Sequence, residues 1–244
     1  MTIEELKSLS LNESPASFRV IGVGHGIENV INEINSFGFE GVSAEVVKYP
    51  FDCTPQDEDK LAIICFTECD DNANRIAKTV HDAGVLTIGI GNDIVPSCYD
   101  SVMQYVSSAD MPDIIKTIVH PMCAWSYMCY DFNDINWLLR DSDYFIAKSF
   151  SGKDVNKAIE DLRAVFENFD LNFIDGLHVH FSYNPNRPTP LRMSDIISFR
   201  DLKFALSETI TVMYTINYDE KLNGDEIRLS AILAGKEVWR CQGI

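Results

Sequence analysis

The feature that most constrains the fold of this chain is an apolar segment that runs through a cluster of glycines straight into a helical pattern. Residues 18–23 are largely apolar, and glycine recurs at positions 22, 24 and 26. Apolar side chains at helical spacing follow, and Gly38 is placed to end that helix: Ile27, Val30, Ile31, Ile34 and Phe37. A tight glycine turn before a helix N-terminus exposes backbone amides to an anion. The pattern predicts a cradle of the kind that holds nucleotide phosphates.

Strands and helices alternate along the first half of the chain. The predicted strands are residues 19–23, 44–48, 61–66, 85–90 and 101–106, and the predicted helices are residues 26–37, 72–82 and 112–127. The unbroken apolar run at 61–66 is typical of a strand that is buried on both faces. This alternation predicts a parallel sheet with right-handed crossovers. Pro121 should kink or shorten the last of these helices.

The second half follows a different pattern. Asp154 is placed to cap a helix, residues 176–181 predict a strand, and residues 194–206 predict another helix. Apolar residues then alternate over 210–218 and 227–233, with Asn223-Gly224 between them, which predicts an antiparallel hairpin. We therefore expect three regions: a loose lead-in at 1–17, a nucleotide-binding-type α/β domain at 18–127 and a smaller α+β domain at 128–244.

Composition excludes some classes of partner. The formal net charge of −17 argues against nucleic acid and against direct contact with anionic membranes. No apolar run approaches the roughly 20 residues of a membrane span. The seven cysteines have irregular spacing, which favours free thiols over disulfides. These observations predict a cytoplasmic protein.

Several segments, taken in order, resemble the FtsZ/tubulin superfamily, in particular its bacterial FtsZ branch. Val20-Ile-Gly-Val-Gly-His-Gly-Ile-Glu-Asn29 resembles the first phosphate loop, and Tyr130-Asp-Phe-Asn-Asp-Ile135 resembles the synergy loop that completes the GTPase site of the next subunit in a filament. Residues 40–47, 61–67, 83–90 and 211–235 resemble further strands of the family. The likeness is collinear over residues 18–235.

The resemblance implies a Rossmann-like parallel sheet followed by a smaller α+β domain. It implies that Gly22, Gly24, Gly26 and Asn29 bind GTP or GDP with Mg²⁺. It further implies that Asp131 and Asp134 act catalytically across a subunit interface, with Cys129 standing where the family usually has asparagine. The implied partners are further copies of the chain or an FtsZ-type filament protein, and the implied process is cell division.

The chain departs from the family at the positions that bind phosphate in the family. His25, Ile27 and Glu28 stand where glycines are expected, and Glu68-Cys-Asp-Asp-Asn72 replaces the glycine-rich main phosphate loop. Two like charges about 4 Å apart repel by ~1 kcal/mol in water and by about 4 kcal/mol at an effective dielectric of 20. We therefore expect a degenerate GTP site on a chain that acts through subunit association. The alternative is an active, self-assembling GTPase that uses Asp131 and Asp134.

Simpler interpretations of the same residues stay open. Asp131 and Asp134 could simply cap a helix. His178 and His180 point to one face of a strand, where they could hold a metal or pack inside the sheet. The acids at 68–71 could bind Mg²⁺ or Ca²⁺, or form a solvated turn. The glycines at 22, 24 and 26 also weakly match a dinucleotide fingerprint, but they are out of phase for it. We assign no metal site.

Overall fold

The computed structural model describes residues 17–47, 53–68, 71–126, 130–140, 142–166, 173–189, 192 and 210–236. The strands are β1 (Ser17–Val23), β2 (Val42–Val46), β3 (Asp59–Phe66), β4 (Leu86–Gly91), β5 (Ser101–Gln104), β6 (Asp143–Gly152), β7 (Ile174–Tyr183), β8 (Thr211–Tyr218) and β9 (Ile227–Gly235). The α-helices are α1 (Glu28–Phe37), α2 (Asp71–Asp82), α3 (Met111–Cys123), α4 (Phe132–Leu139) and α5 (Val155–Phe166), and Pro96–Cys98 forms a 3₁₀ turn.

All nine strands belong to one sheet in the order β2-β1-β3-β4-β5-β6-β9-β7-β8. The pairings from β2 through to β6 are parallel. β9 runs antiparallel to both of its neighbours, β6 and β7, and β8 pairs parallel with β7 at the edge. The strand order reverses at β1, which has β2 on one side and β3 on the other. This mixed α/β architecture, with a mainly parallel first half, confirms the predicted fold class.

The predicted hairpin between β8 and β9 is wrong. β9 lies between β6 and β7, while β8 is separated from it by β7. Every residue of β9 is buried, because α5 covers one face of it and α3 covers the other. A strand covered on both faces belongs inside the sheet. Alternating apolar residues identify the strand but do not identify its partner.

Helices cover both faces of the parallel strands and give each face its own core. On one face, Val30 and Ile31 of α1 pack with Ile115 of α3 against Val20 and Ile63. On the other face, α2 packs with Ile76 and Val80 against the sheet. A third core lies between α5 and the β7–β9 strands. The three cores hold the ends of β1, β3 and β4 in fixed positions.

The helices confirm most of the predicted local signals. Pro121 lies inside α3, which ends at Cys123, four residues before the predicted end. Asp154 caps α5, since its Oδ1 accepts from the Asn156 amide at 2.9 Å. The predicted helix at 194–206 lies outside the described residues. None of the described helices is long and apolar enough to cross a membrane.

The predicted domain boundary near residue 128 stays a prediction. β5 and β6 lie on either side of it and pair through only two residue pairs, Ser101 with Asp143 and Val102 with Tyr144. The sheet itself is continuous across this junction.

Candidate functional site

The glycine loop lies at the carboxyl end of β1, as the sequence predicts. Gly24 and Gly26 have φ angles of 88° and 80°, a left-handed conformation that only glycine adopts without strain. Gly22 is the buried end of the strand, and a Cβ there would lie 2.8 Å from Cγ1 of Ile31. Gly24 and Gly26, which follow the strand, therefore form the turn, while Gly22 lets α1 approach β1 closely.

Two side chains that the sequence reasoning missed tie this loop to the neighbouring strands. Thr67 follows β3 and donates from Oγ1 to the carbonyl of His25 at 3.0 Å. Asn92 follows β4 and donates from Nδ2 to the carbonyl of Thr67 at 3.2 Å. The only sequence signal was that each is the first polar residue after a buried strand. Together they join three strand ends where the strand order reverses, which is the usual ligand crevice of open α/β sheets.

The start of α1 leaves its amide groups available. Its N-cap residue is Ile27, which has no side-chain acceptor for the amides of the first turn. Asn29 is exposed in that turn, beside exposed His25 and Gly26. The structure therefore gathers Gly24, Gly26 and Asn29 around one open helix N-terminus, whose partial positive charge favours an anion. Their role in nucleotide binding stays a prediction.

Exposed carboxylates surround the same edge. Glu28 is the first residue of α1, Glu68 follows β3, and Asp71 is the first residue of α2. Cys69 and Asp70 of the predicted acidic turn lie outside the described residues. Within the part of the chain that the structure describes, no three His, Cys, Asp or Glu side chains are grouped to hold a metal ion. A nucleotide phosphate approaching α1 would meet like charge from Glu28 and Glu68.

Asp131 and Asp134 form a reciprocal capping box at the start of α4, which confirms the capping interpretation. Asp131 Oδ1 accepts from the amides of Asn133 at 2.7 Å and Asp134 at 3.4 Å, and Asp134 Oδ2 accepts from the Asp131 amide at 2.9 Å. Asp131 is exposed and Asp134 is half-buried. Each carboxylate keeps lone pairs that point away from the cap, so capping leaves a second role open.

Asp131 and Asp134 lie near the amino ends of the parallel strands, whereas the glycine loop lies at their carboxyl ends. The ring of Phe132 in α4 packs 6.4 Å from that of Phe18, which lies at the amino end of β1. Phe132 also borders a cleft of about 380 Å³ together with Lys60 and Gly84. Lys60 lies at the amino end of β3, and Gly84 lies just before the amino end of β4. Seven residues of β1 rise about 20 Å at ~3.3 Å per residue. The loop and the acids of one molecule therefore cannot act on the same ligand.

His178 and His180 are packed inside the sheet, as the second of the two interpretations predicted. Both side chains are at most 1% exposed. His178 Nδ1 is hydrogen-bonded to Tyr130 Oη at 2.8 Å, and His180 Nδ1 is hydrogen-bonded to Thr215 Oγ1 at 2.7 Å. Burial lowers the pKa of His178 from 6.5 to about 4 and lowers that of His180 well below its ordinary value. Both imidazoles are therefore neutral at physiological pH.

Among solved structures, the chain is similar to FtsZ and TubZ. A tryptophan-to-tyrosine mutant of M. jannaschii FtsZ gives a TM-score of 0.76 at 13% identity, covering 96% of each chain. An empty FtsZ dimer from M. jannaschii gives 0.73 at 12% identity, covering 96% of this chain and 93% of that one. TubZ from Bacillus thuringiensis serovar israelensis, in GDP-form protofilaments, gives 0.62 at 9% identity, covering 96% and 90%.

These matches show that the chain has the FtsZ/tubulin-type fold, which confirms the resemblance seen in the sequence. At 9–13% identity they establish the fold and not the activity. No protein-family model matches the chain, and no curated protein matches it.

Proposed function

We propose that this chain is a divergent FtsZ-like protein that has a degenerate GTP site and acts through head-to-tail association of subunits. The partner is another copy of the chain or an FtsZ-type filament protein, and cell division is the corresponding process. The observation that carries this proposal is the separation of the glycine loop and the Asp131–Asp134 pair to opposite edges of one sheet. Only stacking of one subunit on the next brings the two edges together.

The fold matches support association without specifying it. The solved structures to which the chain is similar include an FtsZ dimer and TubZ protofilaments. A contact between opposite edges is heterologous, so it propagates into a filament when its rotation does not close a ring. Asp131 and Asp134 would then face the glycine loop of the neighbouring subunit.

The acidic surroundings of the loop support a degenerate nucleotide site. Glu28 and Glu68 are exposed at the edge where a triphosphate would have to lie. Glycine amides that stabilise phosphate charge are replaced there by carboxylates that oppose it. The residues present therefore fit a weakly held anion better than a tightly held triphosphate with its metal.

Sedimentation velocity across a wide range of protein concentration tests the proposal. We expect the weight-average sedimentation coefficient to rise with concentration both with and without GTP and Mg²⁺. Asp134→Ala should weaken the association, while Lys157→Ala on the exposed face of α5 should leave it unchanged. A chain that stays monomeric at every concentration, alone and with an FtsZ-type protein, would contradict the proposal.

One observation favours the active GTPase as a second candidate: the uncapped start of α1 beside two left-handed glycines. Isothermal titration with GTP and Mg²⁺, with GDP alongside, separates the candidates. The proposed degenerate site predicts weak binding or none. Submicromolar binding, with turnover that rises faster than linearly with protein concentration and is lost in Asp134→Ala, would instead establish the GTPase.

A further inference from the structure

Tyr130, which precedes the N-cap of α4, contacts two buried histidines of β7: it is hydrogen-bonded to His178, and its ring meets that of His180 with centroids 4.6 Å apart. His178 Nδ1 is 2.8 Å from Tyr130 Oη, and the two rings meet edge to face with centroids 5.5 Å apart. Tyr130 is 5% exposed and directly precedes Asp131. The hydrogen bond therefore fixes the chain one residue before the capping box.

A second contact joins the same imidazole to the middle of α4. The indole of Trp137 stacks on the His178 ring with centroids 6.3 Å apart and an angle of 8° between the planes. Tyr130 precedes the N-cap of α4 and Trp137 lies within the helix, and both contact the ring of His178. The imidazole is held between them.

The backbone of β7 is adapted to this arrangement. A Cβ at Gly176 would lie 2.6 Å from Cδ1 of Leu138 and 3.5 Å from Cζ3 of Trp137. Glycine at this position lets α4 approach β7 closely enough for the indole to cover His178. Even so, Trp137 is 56% exposed, beside a cleft of about 450 Å³ that Asp175 and Lys236 also line.

We propose that His178 is a positioning residue that holds α4 so that Asp131, Asp134 and the exposed face of Trp137 meet the next copy of this chain. Its direct contacts with this region are Tyr130, one residue before the N-cap of α4, and Trp137, within the helix. The interaction surface thus lies at the amino ends of the parallel strands. It binds the glycine-loop end of a second subunit. This inference rests on the proposed head-to-tail association.

The test removes one hydrogen bond and compares it with a matched control. Tyr130→Phe deletes the hydroxyl that bonds His178, and Thr215→Val deletes the hydroxyl that bonds His180 at 2.7 Å on the same face of the sheet. Both bonds are buried and of one chemical type. Thr215→Val leaves intact the hydroxyl that joins Tyr130 to His178, although its partner His180 also meets the Tyr130 ring with centroids 4.6 Å apart. His178→Asn retains an acceptor near Nδ1 while removing the surface on which Trp137 stacks.

Two quantities are measured on the full chain: amide hydrogen exchange along α4 and the self-association constant. We expect Tyr130→Phe to speed exchange in α4 and to weaken association, each by about tenfold, the size of one net hydrogen bond. Thr215→Val should change neither quantity in α4 or in assembly. In an Asp134→Ala background, Tyr130→Phe should weaken association less than it does in the wild type, because the two changes act on the same surface.

Each outcome decides something separate. Unchanged exchange in α4 would overturn the positioning role, whatever the chain does in solution. Faster exchange with unchanged association would overturn the link between α4 and the subunit contact. If the wild type fails to associate while α4 loosens as expected, the proposed function fails and His178 keeps only its role in holding α4.

Discussion

His178 is a neutral base enclosed in a sheet, and this gives the protein a pH-dependent stability. Its folded-state pKa, about 4 because of burial, lies below the ordinary 6.5. Between these values the unfolded chain binds a proton that the folded chain does not. The contribution of neutral His178 to the free energy of unfolding is therefore constant above about pH 6.5. It falls by about 3 kcal/mol as the pH drops toward 4.

Urea unfolding near pH 7 and near pH 4 measures this effect. The free energy of unfolding should fall less steeply with acid in His178→Asn than in the wild type, since asparagine does not titrate. An equal fall in both proteins would show that His178 is solvated or charged in the folded state.

Individual residues were predictable where the local backbone conformation alone determines which residue type is needed. Gly24 and Gly26 were placed correctly because a turn between a strand and a helix needs left-handed residues. The hydrogen bonds of Thr67, Asn92 and Tyr130 were missed, because each joins the residue to one far along the chain. Their partners follow from the strand order, which no local pattern contains.

At the scale of elements, α3 is attached to β9 by a buried guanidinium. Arg228 is 5% exposed; its Nη2 lies 2.7 Å from Asp113 Oδ1 and 3.1 Å from Thr117 Oγ1, and its Nε donates to Ser230 Oγ at 3.2 Å. This group also explains how β9 is buried on both faces although one face carries polar residues. The alternation of apolar residues over 227–233 predicted the strand but not the burial of its polar face.

Arg228→Ala should lower the free energy of unfolding by about 1–3 kcal/mol, because it leaves the buried hydroxyls of Thr117 and Ser230 without their partner while Asp113 is open to solvent. The matched control is Lys157→Ala, which breaks the exposed pair with Asp161 at 3.2 Å and should cost under about 0.5 kcal/mol. Chemical denaturation of the two variants gives the comparison. Equal, small losses would mean that Arg228 contributes nothing beyond a surface ion pair.

The start of α4 shows that one pair of residues can fit two interpretations. Asp131 and Asp134 form the capping box that helix chemistry predicts. The same residues resemble the family's synergy loop, and Asp131 is exposed at this position. Local sequence predicts the cap, whereas a function across subunits depends on how two molecules meet.

At the scale of the whole molecule, the two candidate regions lie at opposite ends of the parallel strands of one continuous sheet. The glycine loop follows the carboxyl end of β1, and α4 packs beside its amino end. The proposed head-to-tail association joins unlike ends, so blocking one end of each molecule should leave a single productive contact.

The measurement that tests this most directly mixes two blocked variants. Asn29 and Asn133 are exposed asparagines, each the second residue of its helix, at the glycine-loop edge and the acidic edge respectively. Asn29→Trp and Asn133→Trp should each be monomeric alone, and an equimolar mixture should form 1:1 dimers and nothing longer in sedimentation velocity. A mixture that stays monomeric, or variants that each assemble as the wild type does, would contradict head-to-tail association.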